Sequence, residues 1–190
     1  MLTKNIRFKN FNFNKDDKKI KKDLKNLLNK KSEIIRSLTP NYKYAYSKKL
    51  INKIKTKTPV KIIGMGGSIL GSQAIYDFLK YKIKKKFIFY NNLQSNIKSL
   101  KNEKKSINII ISKSGNTLET ISNANILIKK EQKNIFITES NNSYLRKLAQ
   151  QLKAEIINHN NFIGGRYSVL SEVGMLPAEL MNLNESKFKQ

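Results

Sequence analysis

Val60-Lys61-Ile62-Ile63-Gly64-Met65-Gly66-Gly67-Ser68-Ile69-Leu70-Gly71 decides how the rest of the chain is read. A short β-branched run ends in a glycine-rich turn, and the turn opens into a helical pattern over residues 69–81. Strands buried on both faces of a sheet read as nearly continuous hydrophobes. That rhythm recurs at Val60 to Gly64, Phe87 to Tyr90, Ile107 to Ser112, Ile135 to Thr138 and Glu155 to Asn158. Residues 69–81, 94–100, 117–130 and 144–152 carry helical spacing between them. Strand and helix alternating at this pitch predict right-handed βαβ crossovers: an α/β fold, a doubly wound five-stranded parallel sheet with helices on both faces. Ligands of such sheets sit beyond the C-terminal strand ends, where the strand order reverses. The loops beginning at Gly64, Asn91, Ser112, Thr138 and Asn158 are therefore where chemistry is sought.

Upstream of Pro59 the rhythm is different. Residues 1–58 hold no Gly, and Ile20, Leu24, Leu27, Leu28, Ile34, Ile35 and Leu38 recur at spacings of three and four. These predict one helix, stopped at Thr39-Pro40-Asn41 because a residue before Pro avoids the α region. Tyr42, Tyr46, Leu50, Ile51 and Ile54 predict a second. Residues 1–58 are thus a helical arm, with Phe8, Phe11 and Phe13 expected to dock it on the core rather than to stack on single-stranded nucleic acid.

Composition narrows the function classes. The 190 residues carry a net charge of +25, a balance that ordinarily suggests polyanions. Yet Lys, Asn and Ile make up 83 of the 190 residues, and the Lys are spread along the chain, which reads as codon bias more than as a dedicated surface. Only four cations are Arg: Arg7, Arg36, Arg146 and Arg166. Against that background an Arg points to a need for its planar fork of donors. There is no Cys, so disulfides, zinc knuckles and thiol nucleophiles are excluded. No apolar run approaches the roughly 20 residues of a membrane span, and residues 1–22 have no signal-peptide core. A cytoplasmic protein is expected.

Three loops carry candidate chemistry. Residues 64–71 place glycines at the start of a helix, where backbone amides favour an anion, although a tight turn alone would also ask for glycines. A dinucleotide fingerprint fails at Ile69, and a P-loop lacks its Gly-Lys-Ser/Thr. Ser112-Lys113-Ser114-Gly115-Asn116-Thr117 sets hydroxyls and an ammonium between a buried strand and a helix, as an anion nest would. Gly164-Gly165-Arg166-Tyr167-Ser168 puts a rare Arg beside two glycines, where a guanidinium could stabilise an oxyanion or form a helix-terminal salt bridge. His159, the sole histidine, reads as an incidental loop residue.

Read together and in order, these loops resemble the phosphoglucose isomerase family. Residues 64–71 look like its first sugar-isomerase-domain loop, residues 112–120 are similar to its phosphate loop, and residues 164–171 look like a signature sequence. The resemblance implies a sugar-isomerase (SIS) domain over residues 59–190. It implies interconversion of glucose 6-phosphate and fructose 6-phosphate through a cis-enediolate, without metal or organic cofactor. It implies that Gly67, Ser68, Ser112, Lys113, Ser114 and Thr117 hold substrate, with Gly165 beside C1–C2 of the sugar. Arg166 would stabilise the enediolate, with Glu119 supporting the loop from the helix behind it. On the family pattern the catalytic glutamate, the ring-opening histidine and a late lysine and glutamine lie in a second SIS domain. That domain is expected downstream, and Glu172 and Glu179 do not match the family's base. The chain thus looks like a phosphate-binding N-terminal half, inactive alone and homodimeric when complete. The competing reading is a non-catalytic phosphosugar sensor with a DNA-binding arm, which the Gly-free arm of about two helices disfavours.

Overall fold

A computed structural model describes residues 18–30, 32–93 and 105–189. Its centre is a five-stranded sheet of β1 (Val60–Gly64), β2 (Phe87–Tyr90), β3 (Ile107–Ile111), β4 (Lys133–Thr138) and β5 (Glu155–Asn158). All neighbours are parallel, in the order β2-β1-β3-β4-β5. The order reverses between β1 and β3, so their C-terminal ends form the switch point of the doubly wound sheet. The five expected strands are all present, the fourth beginning at Lys133 rather than Ile135.

The strands are continuous in hydrophobes because both faces are covered. Ile62, Ile109, Ile111, Ile135 and Ile137 face one layer, where α3 (Lys48–Ile54), α4 (Leu70–Leu79) and α7 (Glu172–Leu180) pack. Ile63, Ile110 and Phe136, one residue out of phase, face α5 (Leu118–Leu127) and α6 (Tyr144–Gln151). At the N-terminal end of β3 and β4, Asn108 donates to Asn134 (2.7 Å) and Gln132 (2.9 Å) and accepts from Ser106 (2.9 Å). These buried amides satisfy one another and pin the register at the end away from the switch point. No helix among the described residues is long and apolar enough to cross a membrane.

The arm departs from its expected form. Two long helices were expected over residues 20–54; the chain instead forms α1 (Lys18–Leu28), α2 (Glu33–Ser37) and the short α3. Ser32 and Ser47 cap α2 and α3, their hydroxyls accepting from the Ile35 and Leu50 amides (3.3 and 3.2 Å). Each hydroxyl starts a new helix inside what reads as one apolar pattern. Tyr42 and Tyr46 sit on a non-helical stretch, because a spacing of four fits an extended chain as well as a helix. Tyr44 stacks on Tyr46 at 5.1 Å, while Tyr42 and Tyr46 donate to Glu172 (3.0 Å) and Glu179 (2.7 Å) of α7. Leu50, Ile51 and Ile54 of α3 belong to the main core, so the core begins before Pro59. The apolar stripe of α1 faces outward, with Ile20 at 64% and Leu28 at 56% exposure. The helix expected at 94–100, and Phe8, Phe11 and Phe13, lie outside the described residues.

Candidate functional site

The loops after β1 and β3 leave adjacent strands at the same level. Gly64 pairs with Ile111, and neighbouring strands lie about 4.8 Å apart. After β1 the chain makes a 3-10 turn, Gly66–Ser68, and enters α4 at Leu70, leaving Gly67 and Ser68 half-buried at the switch point.

Residues 112–117 form a self-braced nest. The Ser112 hydroxyl is buried, lies 2.9 Å from the Thr117 hydroxyl and accepts from the Gly115 amide at 3.2 Å. Exposed Ser114 accepts from the Asn116 amide at 3.2 Å. Gly115 has φ +68°, and a Cβ there would run into the Ser143 side chain, so only glycine fits this turn. Its carbonyl accepts from Leu145 (3.0 Å) and the Asn116 side chain from Tyr144 (2.9 Å), which anchors the nest to the start of α6. Thr117 is the N-cap of α5 and Glu119 lies in that helix's first turn. The positive end of the α5 dipole thus points into the loop, a favourable place for an anion.

Lys113, expected as the point charge of the nest, already has partners. Its ammonium donates to the Asn161 carbonyl at 2.9 Å and pairs with Glu139 at 3.3 Å. The side chain reaches over β4 towards the loop after β5, where these two acceptors compete for it.

The third loop is carried to the first by the fold. Residues 165–170 form a 3-10 turn packed directly on residues 66–68, although the two are about a hundred positions apart in the chain. A Cβ on Gly67 would collide with the Gly165 carbonyl, so the contact is backbone against backbone. Ser168 donates to the Gly165 carbonyl at 2.7 Å and lies 3.3 Å from that of Gly67, bridging the two turns. Gly67, Ser68, Gly165 and Arg166 thereby come together beside the β3 nest. Arg166 is exposed and makes no ion pair among the described residues.

Two groups that the sequence left aside are buried at the base of this loop. His159 follows β5, Glu172 opens α7, and their side chains meet with Nδ1 3.5 Å from Oε1. Burial pushes the Glu172 carboxyl up, but the adjoining His159 ring, the backbone and the Tyr42 hydroxyl outweigh it and hold the group below its usual range. The readable signal was an acid in the first turn of a helix capped by Ser171, which favours a carboxylate there. Among the described residues no cluster of His, Asp or Glu is arranged to hold a metal ion.

Comparison with known proteins places this arrangement. Residues 9–188 match the family model of phosphoglucose isomerase. The chain is 36% identical to a glucose-6-phosphate isomerase of Methanocaldococcus jannaschii over 138 residues, covering 67% of this chain and 34% of that protein. It is 33% identical to one from Acholeplasma laidlawii, over 73% of this chain and 37% of the relative. A hypothetical protein from Thermus thermophilus shares the fold, with a TM-score of 0.66 at 19% identity over 88% of this chain and 45% of that one. The chain therefore spans about a third of the length of the curated relatives it matches. With a family match over nearly its whole length, the chain belongs to the phosphoglucose isomerase family.

Proposed function

We propose that this chain supplies the phosphate-binding half of an aldose–ketose isomerase that interconverts glucose 6-phosphate and fructose 6-phosphate. The observation that carries the reading is the convergence of three loops. The nest at 112–117 and the turn at 66–68 leave adjacent strands, and the Gly165–Arg166 turn is packed on the latter. Ser68, Ser114 and Thr117, with the amides at the start of α5, would take the phosphate oxygens, while Ser112 holds the nest in shape. Lys113 would join them by exchanging Glu139 and Asn161 for the ligand. Anchored there, the sugar would extend towards Gly165 and Arg166.

The chemistry follows from charge. Removing the C2 proton leaves negative charge on an enediolate oxygen, and a guanidinium held nearby stabilises that charge as it grows. Arg166, exposed and without an ion pair among the described residues, suits this task better than a structural salt bridge. The base for the C2 proton, by family pattern, belongs to the part of the relatives that this chain does not span, as does a second SIS domain. Residues 59–190 would be the first such domain, with Glu119 supporting its nest. Family membership further supports a homodimeric, cytoplasmic complete enzyme working without metal or cofactor, and the Lys-rich charge is read as composition rather than nucleic-acid contact.

Calorimetric titration with inorganic phosphate and with glucose 6-phosphate tests the reading. Both should bind, and Lys113→Ala should weaken binding about tenfold, since a charge-assisted hydrogen bond is worth about 1.5–3 kcal/mol. Unchanged affinity in that variant would put the anion elsewhere. Isomerase activity of the chain joined to the remaining length of a family member, and none in the chain alone, would separate an enzyme half from a sensor.

A further inference from the structure

We propose that His159 and Glu172 are positioning residues for Arg166, a buried pair that staples together the two ends of the loop carrying the guanidinium and ties it, through Tyr42, to the N-terminal arm. The assignment rests on the reading of Arg166 as the enediolate's partner.

The loop in question is 160–171. His159 stands at its start and Glu172 just beyond its end, so their contact closes it into a ring. The carboxylate is used on both oxygens. Oε1 faces His159 Nδ1 at 3.5 Å and accepts from the Asn160 amide at 3.3 Å, while Oε2 accepts from the Tyr42 hydroxyl at 3.0 Å. The imidazole Nε2 lies 3.2 Å from the Ile163 carbonyl, while Nδ1 is buried against Oε1 with no hydrogen bond among the described residues. A carbonyl can only accept, so it is the Nε2–H that donates to Ile163. One ring therefore touches the loop at its interior, at Ile163, and at its far end, at Glu172.

Burial makes this pair informative. The two side chains are 2% and 0% exposed. Burying polar side chains is expensive in desolvation, and an apolar pair of similar volume often stabilises as well or better. What the polar pair adds is direction, since its hydrogen bonds to Asn160, Tyr42 and Ile163 each have one geometry. In front, Ser168 bridges the loop to the Gly67 turn; behind, the pair fixes its base. A cavity of about 570 Å³ lies behind that base, lined by Arg36, Tyr42 and Lys43 of the arm together with His159 and Glu172. Without the staple, the loop has room to fall back into it and carry Arg166 away from the sugar.

The test uses the 190-residue chain, labelled with 15N and titrated with inorganic phosphate, as wild type, Glu172→Gln, His159→Gln and Tyr42→Phe. Four arginines make the Arg166 Nε–H resonance assignable. In Glu172→Gln and His159→Gln, amide exchange over 161–170 should speed up about tenfold or more, and the Arg166 signal should shift or broaden. The phosphate-induced shifts of amides 112–117, and exchange in β3 and β4, should stay as in wild type. Tyr42→Phe removes one hydroxyl and should show the same pattern more weakly, which decides the matter if the buried variants do not fold. Unchanged loop exchange and an unmoved Arg166 signal would overturn the staple. So would exchange that rises equally throughout the sheet, for the pair would then stabilise the whole fold. Phosphate that fails to shift amides 112–117 in the wild type would overturn the phosphate-site reading, an outcome visible independently of the loop.

Discussion

Gly67→Ala is the sharpest probe of how the Arg166 turn is placed. A Cβ at position 67 would meet the Gly165 carbonyl oxygen, come within 2.5 Å of its carbon and lie 2.9 Å from the Arg166 nitrogen. All three are backbone atoms, so no flexible side chain can move aside, and one of the two turns must shift. Overpacking of this kind costs about 1–3 kcal/mol. The Ser168 bridge to the Gly67 carbonyl would be lost with it, at about 0.5–1.5 kcal/mol. Together that is about 1.5–4.5 kcal/mol. For a chain of this size each kcal/mol moves Tm by about 2–4 °C, so the midpoint should fall by roughly 3–18 °C in a thermal melt followed by circular dichroism. Gly165→Ala is the matched control. A Cβ there meets nothing within 4 Å, and its effect should stay within about 0.5 kcal/mol, as for other open surface sites. Equal melting of Gly67→Ala and wild type would show that the two turns do not touch, and the placement of Arg166 would lose its support.

Ser112→Ala removes the buried hydroxyl that braces Thr117 and one of the two Ser112 acceptors of the Gly115 amide, so it should cost about 0.5–1.5 kcal/mol in a urea melt and weaken phosphate binding in the same sample. Glu139→Gln removes a competitor for Lys113; calorimetry should show phosphate binding two- to fivefold tighter, the scale of a partly exposed ion pair of about 0.5–1 kcal/mol. Arg166→Ala should leave Tm within about 2 °C, since the side chain is exposed and makes no ion pair among the described residues. In the chain joined to the rest of a family member, it should lower kcat about 100- to 1000-fold, with a smaller change in KM. Glu172 has a native carboxyl held below its usual range, so its stabilisation is complete above the unfolded value of about 4.3 and is lost as pH falls through the lower native one. Exchange over 161–170 should therefore be slower in wild type than in Glu172→Gln at pH 7, and the gap should close towards pH 3.

The sheet was legible because a parallel strand covered on both faces leaves a run of hydrophobes that nothing else in this Lys- and Asn-rich chain imitates. Once five such runs were placed, the loops at 64–71, 112–117 and 164–171 followed from where strands end. The arm was less legible. Its helix boundaries depend on which hydroxyl wins the capping contest, and Ser32 and Ser47 each break a pattern that spacing alone reads as continuous. Tyr42 and Tyr46 belong to an extended segment because their hydroxyls find Glu172 and Glu179, partners more than a hundred residues away. Distance in sequence hid the side-chain partners at the site as well. Nothing near Lys113 announces Glu139 or Asn161, and nothing near His159 announces a carboxylate across a loop.

Those partners change how the positive charge should be understood. A net charge of +25 suggests recognition by accumulated lysines, yet the one lysine of the nest is held by a carboxylate and a carbonyl. Selectivity for a phosphate is better carried by groups whose geometry the fold fixes. The amides at the start of α5 are set by the helix, the Gly115 turn by its contact with Ser143, and the Gly165–Arg166 turn by backbone packing on Gly67. None of these depends on a flexible side chain choosing one rotamer among many. Lysines spread over the surface can raise the local concentration of any anion. The turns at 66–68 and 165–170 meet beside the switch point of the sheet, and this follows from strand order and packing rather than from composition.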